Sequence, residues 1–97
     1  METITLTTPI KINGEEIAEL TFDETKVDAD GYFTAYKRRG EEGRANVPFQ
    51  DLPLMFEFGV QGVLAANPDK GWNAEDFKRL TAPDVSKLVM FGMRFFK

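Results

Sequence analysis

The chain has 97 residues, of which 42% are hydrophobic, enough for one domain with a core and too few for a second. It contains no Cys and no His, which excludes disulfides, cysteine nucleophiles, thiolate zinc sites and imidazole acid–base chemistry. Its net charge of −4 is uneven, because residues 1–30 carry eight acidic and only two basic side chains.

The first predicted element is a β-hairpin within residues 1–23. Its first strand, about 3–12, alternates polar and apolar side chains around Pro9, which we expect at a bend or on an edge strand. Asn13-Gly14 follows, a dipeptide that readily adopts the positive φ angles of a tight turn. The second strand is predicted over 15–22.

The helical part is predicted to span residues 28–97. Asp28 is placed to cap a first helix, and Gly40 is placed to end it after a run of basic residues. We expect a mobile loop at 38–46, because its charged and small residues offer little apolar surface for packing.

Three further helix starts follow along the chain. Asp51 precedes a helix with Pro in its first turn, and Pro68 ends that helix. Asn73 and Thr81 are placed to cap the next two. The sequence therefore predicts a single α+β domain over 1–97, in which the hairpin, with room for a third short strand, packs against a bundle of three to four helices.

The last predicted helix is apolar around more than one stripe. Its apolar residues are Val85, Leu88, Val89, Phe91, Gly92, Met93, Phe95 and Phe96. Such a helix is either buried on several sides or covered by a partner. Gly92 permits close approach by a neighbouring helix, while Met55, Met90 and Met93 supply side chains that adapt to varied apolar shapes.

The remaining chemistry consists of carboxylates, amines and hydroxyls. Ser86 is the only serine, and there is no His to activate it. The adjacent acids Glu15-Glu16 and Glu41-Glu42 are predicted in a hairpin and a loop, where water keeps both carboxylates ionised. Asp28 and Asp30 lack the rest of a calcium loop. We expect no catalytic residue, cofactor or metal site.

Nucleic acid and membrane are not the expected partners. The basic cluster Lys37-Arg38-Arg39 with Arg44 is explained by a helix C-terminus, and the acidic first part repels phosphate. The richest apolar stretch, Leu88 to Phe96, is interrupted by Gly92 and Arg94, so the sequence predicts no membrane-spanning helix. Met1 to Ile4 lack the features of a signal peptide. We therefore expect a cytoplasmic protein.

The order of these features resembles that of small phage tail assembly chaperones. The matching segments are Ile4-Thr5-Leu6, Pro9-Ile10, Asn13-Gly14-Glu15-Glu16, Ile17-Ala18-Glu19-Leu20, Thr25-Lys26-Val27-Asp28, Leu80-Thr81-Ala82-Pro83-Asp84 and the apolar helix ending in Phe96. The likeness spans most of the chain. The loop from Lys37 to Asn46 and the segment around Trp72 depart from it.

The resemblance implies a non-catalytic protein of the host bacterial cytoplasm. It would bind the long coiled-coil tape measure protein, keep it in solution, help to recruit the tail tube protein, and leave before the virion matures. Self-association stays open. The residues predicted to form the partner-binding surface are Leu88, Phe91, Met93 and Phe95, with Met55 and Phe58 behind them.

Two other functional classes remain open at this point. One is a structural virion component, such as a tail tube, terminator or connector subunit, because a hairpin can extend a sheet in a ring. The other is a small regulatory protein that binds a host partner.

Overall fold

The computed structural model describes residues 1–96, and for Phe49 only the backbone. Its strands are β1, Glu2–Ile12, and β2, Glu15–Phe22. Its α-helices are α1, Ala29–Arg39, α2, Leu52–Ala66, and α3, Ala82–Gly92. Short 3₁₀ helices occupy Glu24–Lys26, Pro48–Gln50, Ala74–Arg79 and Met93–Phe96. The α+β class and the hairpin-plus-helices architecture are confirmed, and over residues 1–96 the third short strand is not formed.

The hairpin turns at the predicted dipeptide. Asn13 has φ 54° and Gly14 has φ 82°, and two successive positive φ angles are the geometry of a tight two-residue turn that Asn-Gly favours. One face of the hairpin is buried and the other faces solvent. The buried side chains are Ile4, Leu6, Ile10, Ile12, Ile17, Leu20 and Phe22.

The register of the hairpin shifts around Pro9. Thr5 pairs with Glu19 but Ile10 pairs with Ile17, so β1 bulges between these two points. This confirms the irregularity expected at Pro9, which has no N–H for the ladder.

The bulge fastens the hairpin to α3. The amides of Thr7 and Thr8 donate to the two carboxylate oxygens of Asp84 at 2.8 and 3.1 Å. Asp84 has no exposed surface, and Lys87 lies 3.4 Å from it. Burial alone would raise the pKa of Asp84, but the two amides and the ammonium group outweigh it and lower that pKa.

The helix ends lie at the predicted capping residues, although the side chain of Thr81, the N-cap of α3, makes no capping hydrogen bond. Asp28 accepts a hydrogen bond from the Gly31 amide at 2.9 Å, and Gly40, with φ 74°, follows the last residue of α1. Asn73 forms a capping box with Asp76. Because α1 runs through Arg39, the predicted loop at 38–46 begins two residues too early, and its mobility stays a prediction.

The helices α2 and α3 meet backbone to backbone, antiparallel. A Cβ on Gly92 would lie 1.8 Å from the Met55 carbonyl oxygen, and a Cβ on Gly59 would lie 2.3 Å from the Leu88 carbonyl oxygen. Both distances are far inside van der Waals contact. The close approach predicted for Gly92 is thus confirmed, and the line of contact between the two helices is called the seam below.

The core has two adjoining clusters. The larger one joins the buried face of the hairpin to Val60, Val63, Phe77, Leu80 and Leu88. The smaller one joins α1 to α2 through Ala35, Leu54, Met55 and Phe58. Helix α2 contributes to both clusters and is the central element of the fold.

Candidate partner-binding surface

Three of the six predicted contact residues lie in the core. Met55, Phe58 and Leu88 are each 0% exposed. Leu88 lies at the seam, while Met55 and Phe58 fill the space between α1 and α2. The structure corrects the prediction for these three side chains, because they offer no surface to a partner.

The other three predicted residues are half-buried. The Phe91 ring packs 4.9 Å from that of Phe22, and the Phe95 ring packs 4.9 Å from that of Phe58. Met93 packs against the smaller cluster. Phe91 packs on the larger cluster from the last turn of α3, and the 3₁₀ turn Met93–Phe96 that follows brings Met93 and Phe95 against the core.

That turn is held in place by polar contacts as well. The guanidinium of Arg94 lies 4.5 Å from the centre of the Phe91 ring and pairs with the carboxylates of Glu2 and Glu24. Arg94 thus stacks on an aromatic ring and pairs with two carboxylates, and its pairing with Glu2 joins the C-terminal 3₁₀ turn to β1.

An apolar groove lies instead on the other side of the α2–α3 pair. Its volume is about 510 Å³, and its lining is Leu52, Pro53, Phe56, Val85, Ser86, Val89 and Met90. Leu52 is 55% exposed and Met90 is 68% exposed. No charged side chain lines it, so we call this feature the apolar groove and take it as the candidate functional site.

Helical periodicity explains why the groove and the seam occupy different sides. Leu88 and Gly92, four residues apart, face α2, whereas Val85 and Val89 lie at the edge of that contact and Met90 is directed outward. Sequence reasoning identified Met90 only as an adaptable side chain and missed Leu52. The sequence signal for Met90 and Leu52 is that each is an apolar residue outside the helical stripe that forms the seam.

The predicted basic cluster is largely used within the chain. Its polar pairs are Arg38 Nε with Glu57 at 2.9 Å, Arg38 Nη2 with Glu75 at 2.9 Å, and Arg39 Nε with Asp51 at 2.7 Å. Arg44 donates to the Gly40 carbonyl at 2.9 Å and lies 5.1 Å from the centre of the Tyr36 ring. The contacts with Glu57 and Asp51 tie α1 to α2, the contact with Glu75 ties α1 to the 3₁₀ helix Ala74–Arg79, and Arg44 binds the C-terminal end of α1.

Asp51, the N-cap of α2, is the more deeply buried of the two buried carboxylates that these arginines bind; the other is Glu57. Burial alone would raise the pKa of Asp51, but hydrogen bonds from Arg39 and from the Leu54 and Ala45 amides lower it. The carboxylate is therefore a structural acceptor that orients the start of α2 beside the apolar groove.

Within residues 1–96, no group of three or more acidic side chains is placed to hold a metal ion. None of the described helices combines the length and apolar character needed to cross a membrane. No protein-family model, no curated protein and no solved structure matches this chain.

Proposed function

We propose that this protein is a phage tail assembly chaperone that binds the tape measure protein, keeps it in solution and helps to recruit tail tube subunits, without catalysing a reaction. In this proposal it acts in the cytoplasm of the host bacterium and is not retained in the mature virion. The proposal rests on the resemblance given above and on one structural observation, the open apolar groove.

The groove suits an amphipathic helix. It lies between two antiparallel helices, and helices that bind in such grooves insert apolar side chains at i, i+3 or i+4 spacing. Leu52 and Met90 expose more than half of their surface beside the groove. Burying a large apolar side chain contributes about 1.5–3 kcal/mol, so a partner that covers them gains binding free energy. A long coiled-coil protein such as the tape measure protein carries apolar stripes with this helical spacing.

The neutral lining contrasts with the acidic remainder of the protein. The net charge of −4 favours solubility of a complex, while the uncharged groove supplies the contact. Methionine in that contact accepts differently shaped apolar side chains along a repetitive partner, as Met-rich binding surfaces do.

The test is co-expression with the tape measure protein of the same phage genome. We expect the two proteins to co-purify. Met90→Asp and Leu52→Asp should weaken binding by about tenfold or more, because each places a charge in an apolar contact. Phe33→Asp is the matched control, since Phe33 is 60% exposed on α1 and does not line the groove.

Equal loss of binding in the control variant would remove the groove from the proposal. Failure of the unmodified protein to bind the tape measure protein would remove the chaperone function itself. Abundance of the protein in purified virions would support a structural subunit instead, and capture of a host protein without any tail protein would support a regulator.

A further inference from the structure

The two edges of the hairpin differ. The edge of β1 is covered by groups from elsewhere in the chain: Lys87 Nζ donates to the Thr5 carbonyl at 2.7 Å, Arg79 donates to the Lys11 carbonyl, and Asp84 accepts from the bulge amides. Covering an edge in this way blocks the addition of another strand.

The edge of β2 is open along most of its length. Asn67 Nδ2 donates to the Thr21 carbonyl at 3.0 Å, and the Asp23 amide donates to the Gly62 carbonyl at 3.2 Å. Both contacts lie at the C-terminal end of the strand. Within residues 1–96, the backbone from Glu15 to Leu20 has hydrogen-bond partners only in β1.

A shallow groove of about 360 Å³ runs beside this open edge. It is bounded by β2, by Thr3 of β1 and by the segment Asn67 to Trp72. Three glutamates and one lysine carry its charge: Glu15, Glu16, Glu19 and Lys70. Trp72 is half-buried, with its ring 5.9 Å from that of Phe77, and it forms part of the lining.

We infer that the open edge of β2 binds an extended segment of another protein that carries lysine or arginine side chains, as an added third strand. The unpaired backbone groups of β2 supply the hydrogen bonds of strand addition. The three glutamates attract the cations, and Trp72 offers an aromatic surface for a cation or an apolar side chain.

The charges also decide against a second copy of this chain. Pairing β2 with its own symmetry mate places glutamates opposite or diagonal to glutamates, and like charges across a strand pair are destabilising. An acidic or neutral extended segment lacks the complementary charge. The inference concerns a different surface from the apolar groove and does not depend on the proposed function.

The test uses two synthetic eight-residue peptides that alternate lysine with valine or threonine, one unmodified and one N-methylated at alternate amides. Fluorescence anisotropy against the full chain measures binding. We expect the unmodified peptide to bind and the N-methylated one to bind at least about tenfold more weakly, because it has the same charge but cannot complete a strand ladder. Hydrogen exchange should slow at amides between Glu15 and Leu20 when the unmodified peptide is present.

Charge variants provide the second arm. Glu19→Lys should weaken binding of the lysine peptide by about tenfold, whereas Glu42→Lys, the same change in an exposed loop residue, should have little effect. Equal effects of the two variants, equal binding of the two peptides, or absence of binding would each overturn the inference. In the last case the glutamates serve only to keep the edge of β2 from pairing.

Discussion

The seam and the apolar groove of the α2–α3 pair are both apolar, yet only the seam is closely packed. At the seam, Gly59 and Gly92 bring the backbones together, and Leu88 is completely buried. In the apolar groove, by contrast, Leu52 and Met90 stay mostly exposed. The helices therefore carry more apolar surface than the fold of the described residues uses, and the surplus is concentrated where a further helix could lie.

This difference separates two roles that sequence patterns alone do not distinguish. An apolar residue at the seam or in the core contributes to the free energy of unfolding, whereas under the proposed function an apolar residue in the groove contributes to binding. Substitutions on the two sides should therefore differ in size and in the property they change.

The largest effect is expected from Phe58→Ala. Phe58 is fully buried among aromatic rings, with Tyr32 at 5.0 Å and Phe96 at 5.1 Å between ring centres. Truncation should lower the free energy of unfolding by about 4 kcal/mol. Urea denaturation measures it, with Phe33→Ala as the exposed control at about 0.5 kcal/mol or less. Similar losses in both variants would contradict the placement of Phe58 in the core.

A somewhat smaller loss, about 2–3 kcal/mol, is expected from Gly92→Ala. In an open helix this change stabilises by about 1 kcal/mol, so the sign of the effect is diagnostic. Here the new methyl group meets the Met55 carbonyl oxygen and forces α2 and α3 apart. Ser86→Ala, an exposed position on α3, is the control and should be neutral or slightly stabilising. A Gly92→Ala protein as stable as this control would show that the seam is not tight.

An intermediate and pH-dependent effect is expected from Asp84→Asn. The pKa of Asp84 is lowered in the folded protein, so its stabilising contribution is present above the pKa of the unfolded chain and is lost as pH falls through the folded value. At pH 7 the variant should lose about 1–3 kcal/mol, because the buried, charged acceptor of two backbone amides is replaced by a neutral one.

The pH series sharpens that result. The unmodified protein should lose stability steeply from about pH 5 downward, and Asp84→Asn should lose it less steeply over the same range. Urea midpoints at pH 7, 5 and 3 measure both slopes, and Asp69→Asn, an exposed carboxylate, provides the control. If the urea midpoints of all three proteins fell equally with pH, an ionised Asp84 would not be what stabilises the contact between α3 and the hairpin.

The smallest effect on stability is expected from Met90→Ser in the groove. Because this side chain is mostly exposed, the free energy of unfolding should change by about 0.5 kcal/mol or less. Thermal unfolding monitored by circular dichroism measures it. A loss comparable to that of Phe58→Ala would place Met90 in packing and remove the contrast between the two sides.

The local signals in the sequence predicted most of the elements. Asn13-Gly14 predicted the turn, Asp28 and Gly40 predicted the ends of α1, and Asn73 predicted the start of the helical segment that forms the 3₁₀ helix Ala74–Arg79. These features depend on neighbours a few residues apart, so the chain itself carries the information. Gly92 was identified for the same reason, as an isolated glycine in an apolar helix.

The site was harder to predict because it depends on which helix face becomes covered. Phe58 and Leu88 looked as available for contact as Met90 did. Tertiary packing buried the first two: α1 covers Phe58, and α2 together with the hairpin covers Leu88. The hydrogen bonds from the amides of Thr7 and Thr8 to Asp84 join residues that are 77 and 76 positions apart in the sequence. No local pattern marks a capping carboxylate whose partners lie at the other end of the chain.

The cover on the β1 edge has a consequence for the order of folding. It comes from α3 and from Arg79 of the 3₁₀ helix before it. The Lys87–Thr5 contact closes a loop of 82 positions, whereas the hairpin closes locally. Long closures are entropically slower than local ones. Until α3 docks, both edges of the newly formed hairpin are exposed instead of one. During that interval, chains at high concentration can pair with one another through the edge of β1. Fast docking of the last helix is thus a safeguard against aggregation as well as a step toward the native structure.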